Sequence, residues 1–300
     1  MQLPATATLS VDCRCTLGEG ILWWPQRRAL LWTDIEGSAL WVHRIDGQVT
    51  SRSSLPDRLG SFAICESGAL LLGLAKGIFV GDLDRQPDGV LQLEPVAEVD
   101  SDRPRHRIND GRTDRAGNFV FGTMNEDQDR PTGSFYQYSA AHGLRRLDLG
   151  GVTIPNSICF SVDGRTMYFC DSPDRRIRQC DYDASSARVS HIREFVRFSD
   201  DQGQPDGSVI DREGCLWNAA WGVGVVRRFA PDGGLLGEIK VPSKNTTCLV
   251  FGGDALSDIY ITSSRQEMSA EELDEAPSAG SVYQASVGAL GICDTPFRGR

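Results

Sequence analysis

Asp206 stands between Pro205 and Gly207. Pro205 fixes its own φ and Gly207 admits an unusual turn, so a carboxylate held there is positioned by backbone. A metal ligand or a general base needs that rigidity. Pro-Asp-Gly is also an ordinary turn signal, an Asx-type cap at a strand entrance. Recurrence bears on the choice. Acidic or amide residues occupy the matching place elsewhere: Glu19 in Leu17-Gly18-Glu19-Gly20, Asn109 in Arg107-Ile108-Asn109-Asp110-Gly111, and Asn156 in Ile154-Pro155-Asn156-Ser157. Two carboxylates and amide oxygens that converge with no lysine between them repel unless a cation sits there. Oxygen-only ligands suit a hard divalent ion such as Ca2+, Mg2+ or Mn2+. Zinc stays possible, although no His or Cys cluster prefers it. The alternative, that these polar residues only hydrogen-bond backbone, stays open at this level.

The elements that must position these residues are strands. The chain is built of short extended runs separated by Gly, Asp, Asn and Pro, with almost no long amphipathic helical pattern. One copy runs from Asp206 through Val209-Ile210, the turn Asp211-Arg212-Glu213-Gly214, and Cys215-Leu216-Trp217. Asp206 is placed just before its strand, and Asp110 and Asp114 are read as turn residues of another copy. Each copy is strand, tight turn, strand, loop, strand, and copies recur at roughly 40–50 residues, the period of a propeller blade. Six copies fill the chain without a linker. The fold is therefore expected to be all-β: one domain over residues 1–300, a six-bladed β-propeller of four-stranded antiparallel blades.

In such a ring the innermost strands line a central channel, and residues at their entrances share one mouth. The fourth strand of each blade is harder to see; Glu94–Val99, Arg193–Phe198 and Leu236–Lys240 are candidates. Thr8–Val11 is expected to pair with the last blade, which removes an exposed sheet edge. Ser269-Ala270-Glu271-Glu272-Leu273 carries a capping-box pattern, so a short helix is expected there. Asp100–His106 is a polar loop, either a lid or a solvated connection.

Composition narrows the function. A net charge of −10 and a pI near 4.9 argue against a nucleic-acid partner. The nine cysteines form no Cys-x-x-Cys pair, Cys13 and Cys15 being the closest in sequence. Cys65, Cys159, Cys170 and Cys248 lie in apolar runs and read as reduced, buried side chains of a cytoplasmic protein. The first ten residues carry no signal-peptide pattern, and no apolar run is long enough to span a bilayer. There is no Gly-x-Ser-x-Gly elbow, His-Glu-x-x-His or phosphate loop. Trp23, Trp24 and Trp32 are expected in the core, while Trp221 lies nearer the mouth.

Five segments together resemble the regucalcin/gluconolactonase family of sugar lactonases. They are Leu17–Gly20, Arg107–Gly111, Phe121-Gly122-Thr123-Met124, Pro205-Asp206-Gly207 and Cys248-Leu249-Val250-Phe251-Gly252-Gly253. The resemblance covers nearly the whole chain in order. It implies a six-bladed propeller that hydrolyses aldonolactones with one divalent metal at the channel mouth, Ca2+ favoured over Mn2+, Mg2+ or Zn2+. It implies Glu19, Asn156 and Asp206 as metal ligands and Asp206 as the base. It further implies Arg107, Asn109 and an acid near Glu126-Asp127, assigned to Asp127, as contacts to the sugar. The partner is then a small sugar lactone, without nucleic acid or membrane, and the protein a monomer. Two alternatives stand beside this: a metal-dependent esterase or phosphotriesterase of related propeller type, and a non-catalytic calcium-binding propeller.

Overall fold

A computed structural model describes residues 3–85 and 90–299. It contains six four-stranded antiparallel sheets, the blades of a six-bladed β-propeller. By contact the chain divides into two compact units. The first runs to Arg52 and resumes over Phe198–Cys293; the second covers Ser53–Arg197 and the segment from Asp294 onward.

The first unit carries three of the sheets. One is β2 (Gly18–Trp24), β3 (Ala29–Asp34), β4 (Ala39–Arg44) and β5 (Val49–Ser54), hydrogen-bonded in that order. Another is β18 (Gln204–Ile210), β19 (Leu216–Trp221), β20 (Val225–Phe229) and β21 (Leu235–Lys240). The last comprises β22 (Asn245–Gly252), β23 (Asp258–Ser264) and β24 (Val282–Ser286), and β1 (Thr8–Val11) completes it by pairing antiparallel with β24. The N-terminal strand thus closes the last blade, as its sequence suggested. The core of this unit holds Trp23, Trp32, Trp217, Phe251 and Tyr283, and Trp24 is buried as well. A six-residue helix, α1 (Ala270–Glu275), lies between β23 and β24; Ser269 caps it and Glu272 completes the expected capping box.

The second unit holds β6 (Leu59–Ile64) to β9 (Leu93–Glu98), β10 (His106–Thr113) to β13 (Gly143–Val152), and β14 (Pro155–Phe160) to β17 (Arg188–Arg197), each set in sequential order. Its apolar clusters centre on Phe119, Phe121 and Phe297, and on Phe135, Phe160 and Phe169.

The hairpin joining the first two strands of each sheet turns through a left-handed residue: Arg28, Gly68, Gly117, Gly164, Gly214 and Leu256. Each donates its N–H to the carbonyl three residues back. Asp114 and Asp211 brace two of these turns. Asp114 accepts N–H bonds from Ala116 and Asn118, as a turn residue should.

Two outermost strands, β5 and β13, were not legible in the sequence. Val49–Ser54 is almost entirely exposed, and Gly143–Val152 alternates only in part. A strand that buries neither face leaves no hydrophobic period to read. Asp206 also sits differently from expectation: it lies inside β18, not in a loop ahead of it. Asp110 is likewise a strand residue of β10, not a turn residue.

Candidate active site

The innermost strand of every sheet carries a β-bulge near its start, and the candidate residues sit at these bulges. In β2, Glu19 pairs with Thr33, and Gly20-Ile21 then oppose a single residue before Leu22 pairs with Leu31. In β14, Asn156 pairs with Cys170 and Ser157-Ile158 form the bulge. Gly20 and Ser157 occupy the same place and are both left-handed, at φ 58° and 59°. Glycine adopts that conformation freely, whereas serine does so at a cost of about 1–2 kcal/mol. Bulges re-aim side chains beside functional sites, and backbone strain of this kind clusters at such sites.

The approach to each residue is also built alike. Asp34, at the end of β3, accepts the N–H groups of Thr16 and Leu17 at 3.1 and 3.0 Å. Asp171, at the end of β15 (Thr166–Asp171), accepts those of Thr153 and Ile154, both at 2.9 Å. Each carboxylate thus clamps the backbone two and three residues ahead of its candidate, Glu19 in one unit and Asn156 in the other.

Asn109 and Asp206 form a second matched pair. Asn109-Asp110 are the bulged residues of β10, and Asp206-Gly207 those of β18.

In the first unit, Glu19 is half-buried and Asp206 is only 4% exposed. β22 joins their strands. Thr247 Oγ1 lies beside the Gly18 carbonyl and 2.9 Å from Thr262 Oγ1. A hydroxyl has one proton, and a carbonyl can only accept, so Thr247 donates to Gly18 and Thr262 supplies its own proton within the cluster. On the other side, β18 meets the β22 backbone directly. A Cβ added at Gly207 would fall 2.7 Å from Cys248 Sγ and 2.9 Å from both Cys248 Cα and the Thr247 carbonyl oxygen. Gly207 is there for this close approach rather than for a turn. Gly207→Ala is therefore expected to lower stability by about 1–3 kcal/mol, the usual range for overpacking. Denaturant unfolding checks it, and the same displacement should reach Asp206 next door.

In the second unit, Arg107, Asn109 and Asn156 form one directed hydrogen-bond chain. Arg107 Nη1 donates to Asn109 Oδ1 at 2.7 Å. That fixes the Asn109 amide, whose Nδ2 donates to the Pro155 carbonyl at 3.0 Å and to Asn156 Oδ1 at 3.2 Å. Asn156 Nδ2 then donates to Ser172 Oγ at 2.9 Å. The Asn156 amide oxygen keeps its orientation and a second lone pair.

The two acids after Met124 separate. Glu126 pairs with Arg58, and its Oε1 lies 4.0 Å from Arg107 Nε. The hydrogen bond from Arg58, reinforced by the charges of Arg58, Arg107 and Arg105, holds its carboxyl below the usual range against some loss of hydration. Asp127 is 48% exposed in its side chain and pairs with Arg105 at 2.6 Å. Glu126, not Asp127, is thus the acid beside Arg107. Asp110 accepts the Ile158 N–H at 2.9 Å, and burial pushes its carboxyl up. Trp221 is half-buried and pairs with Gln204 across β18 and β19.

Sequence reading missed Thr247, the Ser172 end of the amide chain and the clamping roles of Asp34 and Asp171. Two adjacent threonines ahead of an apolar run were a visible signal for the first. The aspartates closing both Trp32-Thr33-Asp34 and Phe169-Cys170-Asp171 were one for the clamps.

Another acidic group, Asp211, Glu213 and Cys215, has ligand atoms within 4.8 Å of one another. Its chemistry is already satisfied. The Asp211 carboxylate accepts from the N–H groups of Glu213 and Cys215 at 2.9 and 3.0 Å, from Trp217 Nε1 at 2.9 Å, and twice from Arg228. The guanidinium fills the place a cation would take, so this group braces a turn.

A six-bladed propeller with acids and amides at the bulges of its innermost strands defines a recognisable class. The chain belongs to the SMP-30/Gluconolactonase/LRE-like family, whose family model matches residues 17–265. It is 41% identical to an L-arabinolactonase of Azospirillum brasilense over 98% of this chain and 96% of that protein. It is 36% identical to a 6-deoxy-6-sulfogluconolactonase of Pseudomonas putida, over 94% and 95%. Among solved structures, a regucalcin of Agrobacterium tumefaciens described as calcium-binding superposes with a TM-score of 0.91. Its identity is 31%, covering 98% of this chain and 97% of that one. The family resemblance drawn from the five sequence segments is borne out.

Proposed function

We propose that this protein is a sugar lactonase that opens an aldonolactone to its sugar acid. In this reading it works with one divalent metal ion, Ca2+ by preference, held by Glu19, Asn156 and Asp206. The observation that carries the reading is the matched construction of Glu19 and Asn156. In two blades an oxygen-bearing side chain follows the same aspartate clamp and precedes the same left-handed bulge, which supports the same role for both. The donor set fits such an ion: two carboxylates and one oriented amide oxygen, with no nitrogen or sulfur.

When bound, a divalent cation supplies Lewis-acid polarisation of the lactone carbonyl. The rest belongs to the chain. Asp206 takes the proton of the attacking water as the tetrahedral intermediate forms. The departing ring alkoxide is protonated in turn, by Asp206 or by water. Arg107 and Asn109 bind the sugar hydroxyls and the lactone, Arg107 through charge-assisted hydrogen bonds. Glu126, 4.0 Å from Arg107, holds that guanidinium in place, and Asp127 is a further contact to the sugar. The similarity to an L-arabinolactonase favours a five-carbon lactone over a six-carbon one. The nine cysteines are in the reduced form, which suits a cytoplasmic protein, and the protein is read as a monomer.

Chelation is expected to abolish hydrolysis of pentono- and hexono-lactones, and a divalent ion to restore it, in a pH-stat assay across several metals. Turnover that survives complete chelation removes the metal from the reaction. Preference for aryl esters over every lactone would turn the assignment toward an esterase. Tight Ca2+ binding with no turnover would leave the calcium-binding reading in its place.

A further inference from the structure

The thiols of Cys13 and Cys15 are brought together in the segment between β1 and β2. We infer that they form a dithiol pair that hydroperoxides oxidise to an intrachain Cys13–Cys15 disulfide. Their sulfurs are 3.6 Å apart. Residues two apart in a strand share a face but keep their side chains parallel. Here Arg14 between them is left-handed, at φ 49°, which folds the two Cβ positions toward each other. That conformation costs a non-glycine residue about 1–2 kcal/mol. Its surroundings impose it. The Cys15 N–H donates to the Gly280 carbonyl at 2.7 Å, Cys13 Sγ reaches the same carbonyl at 3.4 Å, and the Arg14 side chain is held by Asp12.

The two thiols are unequal in the way a reactive pair requires. Cys13 is half-buried and open to a small oxidant, whereas Cys15 is 1% exposed. The hydrogen bond from Cys15 holds the Cys13 thiol below its usual range against its burial, and the same contact pushes the Cys15 thiol up. Cys13 is therefore the attacking sulfur and Cys15 the resolving one.

The step balances. The Cys13 thiolate attacks one peroxide oxygen, the O–O bond breaks, and the second oxygen leaves as hydroxide and becomes water. Cys13 is then a sulfenic acid. The Cys15 sulfur attacks the Cys13 sulfur, the S–O bond breaks, and hydroxyl departs with the Cys15 proton as a second water. The peroxide gains two electrons, one from each sulfur. The sulfurs close from 3.6 Å to about 2.05 Å, a movement within reach of side-chain rotation. A dithiol reductant reverses the change.

The test treats the full chain with a small excess of hydrogen peroxide and reads the peptide containing residues 13 and 15 by mass spectrometry without reduction. That peptide is expected to lose two hydrogens in mass and to regain them with dithiothreitol. In Cys15→Ala the reaction should stop at Cys13, which dimedone then labels; in Cys13→Ala, Cys15 should stay unmodified. Oxidation of the exposed Cys293 while both thiols of the 13–15 peptide persist would overturn the inference, as would pairing of Cys13 with any other cysteine. The wild-type measurement needs no substitution, so a variant that folds poorly does not decide the outcome.

Discussion

Asp206→Ala is expected to reduce lactone hydrolysis by about 10³-fold or more, with thermal unfolding little changed. Two losses combine in this one side chain. A positioned general base contributes typically 10²–10⁴-fold, and a carboxylate ligand to the ion is removed at the same time. The residue is buried to 4% exposure at a bulge, where backbone and not solvent sets its direction. Replacing a buried carboxylate by a smaller apolar group need not weaken the fold, because the desolvation of that charge disappears with it. Kinetics with Asp206→Asn separates the roles. The amide can still offer an oxygen to an ion but cannot accept the water's proton, so metal affinity should fall less than kcat. A variant with Ala at this position that retains full activity would defeat the mechanistic assignment.

The largest effect on stability is expected at Asp211, away from the chemistry. Its carboxylate is wholly buried and accepts two backbone N–H groups, the Trp217 indole and the Arg228 guanidinium. Arg228 is itself only 6% exposed and lies over the Trp217 ring at 5.4 Å. Asp211→Ala leaves that cation buried beside one remaining acid, Glu213, whose side chain is largely in water. Removing one partner of a buried pair costs roughly 3–5 kcal/mol. For a chain of this size that corresponds to a fall in Tm on the order of 10 °C. The double variant Asp211→Ala with Arg228→Met should recover part of the loss, since no charge is then stranded. Differential scanning calorimetry of the wild type and both variants checks this, and an unchanged Tm in the single variant would refute it. The same measurement bears on metal binding at this turn: added Ca2+ is expected to leave Tm of the Asp211 variants unrescued.

Much of the architecture was legible because it rests on local chemistry. Strand runs such as Ala29–Asp34 and Phe119–Asn125 bury apolar side chains and are bounded by turn residues. Hairpins such as Asp211–Gly214 carry an aspartate that accepts nearby N–H groups and a glycine free to take positive φ. These preferences act over four or five residues, so the repeat, the blade count and the capped helix after Ser269 all follow from short windows. The nearly all-exposed β5 lacked such a signal, and its place comes from pairing in its sheet.

The identities of the candidate residues were also written in the chain, as acids and amides recurring beside Gly or Pro. Their settings were not. Whether Asp206 lies in a loop or a strand depends on how β18 pairs with β19, and whether Glu126 or Asp127 meets Arg107 depends on which side chain Arg58 and Arg105 each take. Thr247 holds the carbonyl next to Glu19 from 229 residues away. The amino-acid order alone determined most of the strands and tight turns and which oxygen-bearing groups are available. Only the tertiary structure decided how those groups are aimed, because bulges, close backbone approaches and amide orientations are set by partners that become neighbours when the sheets pack.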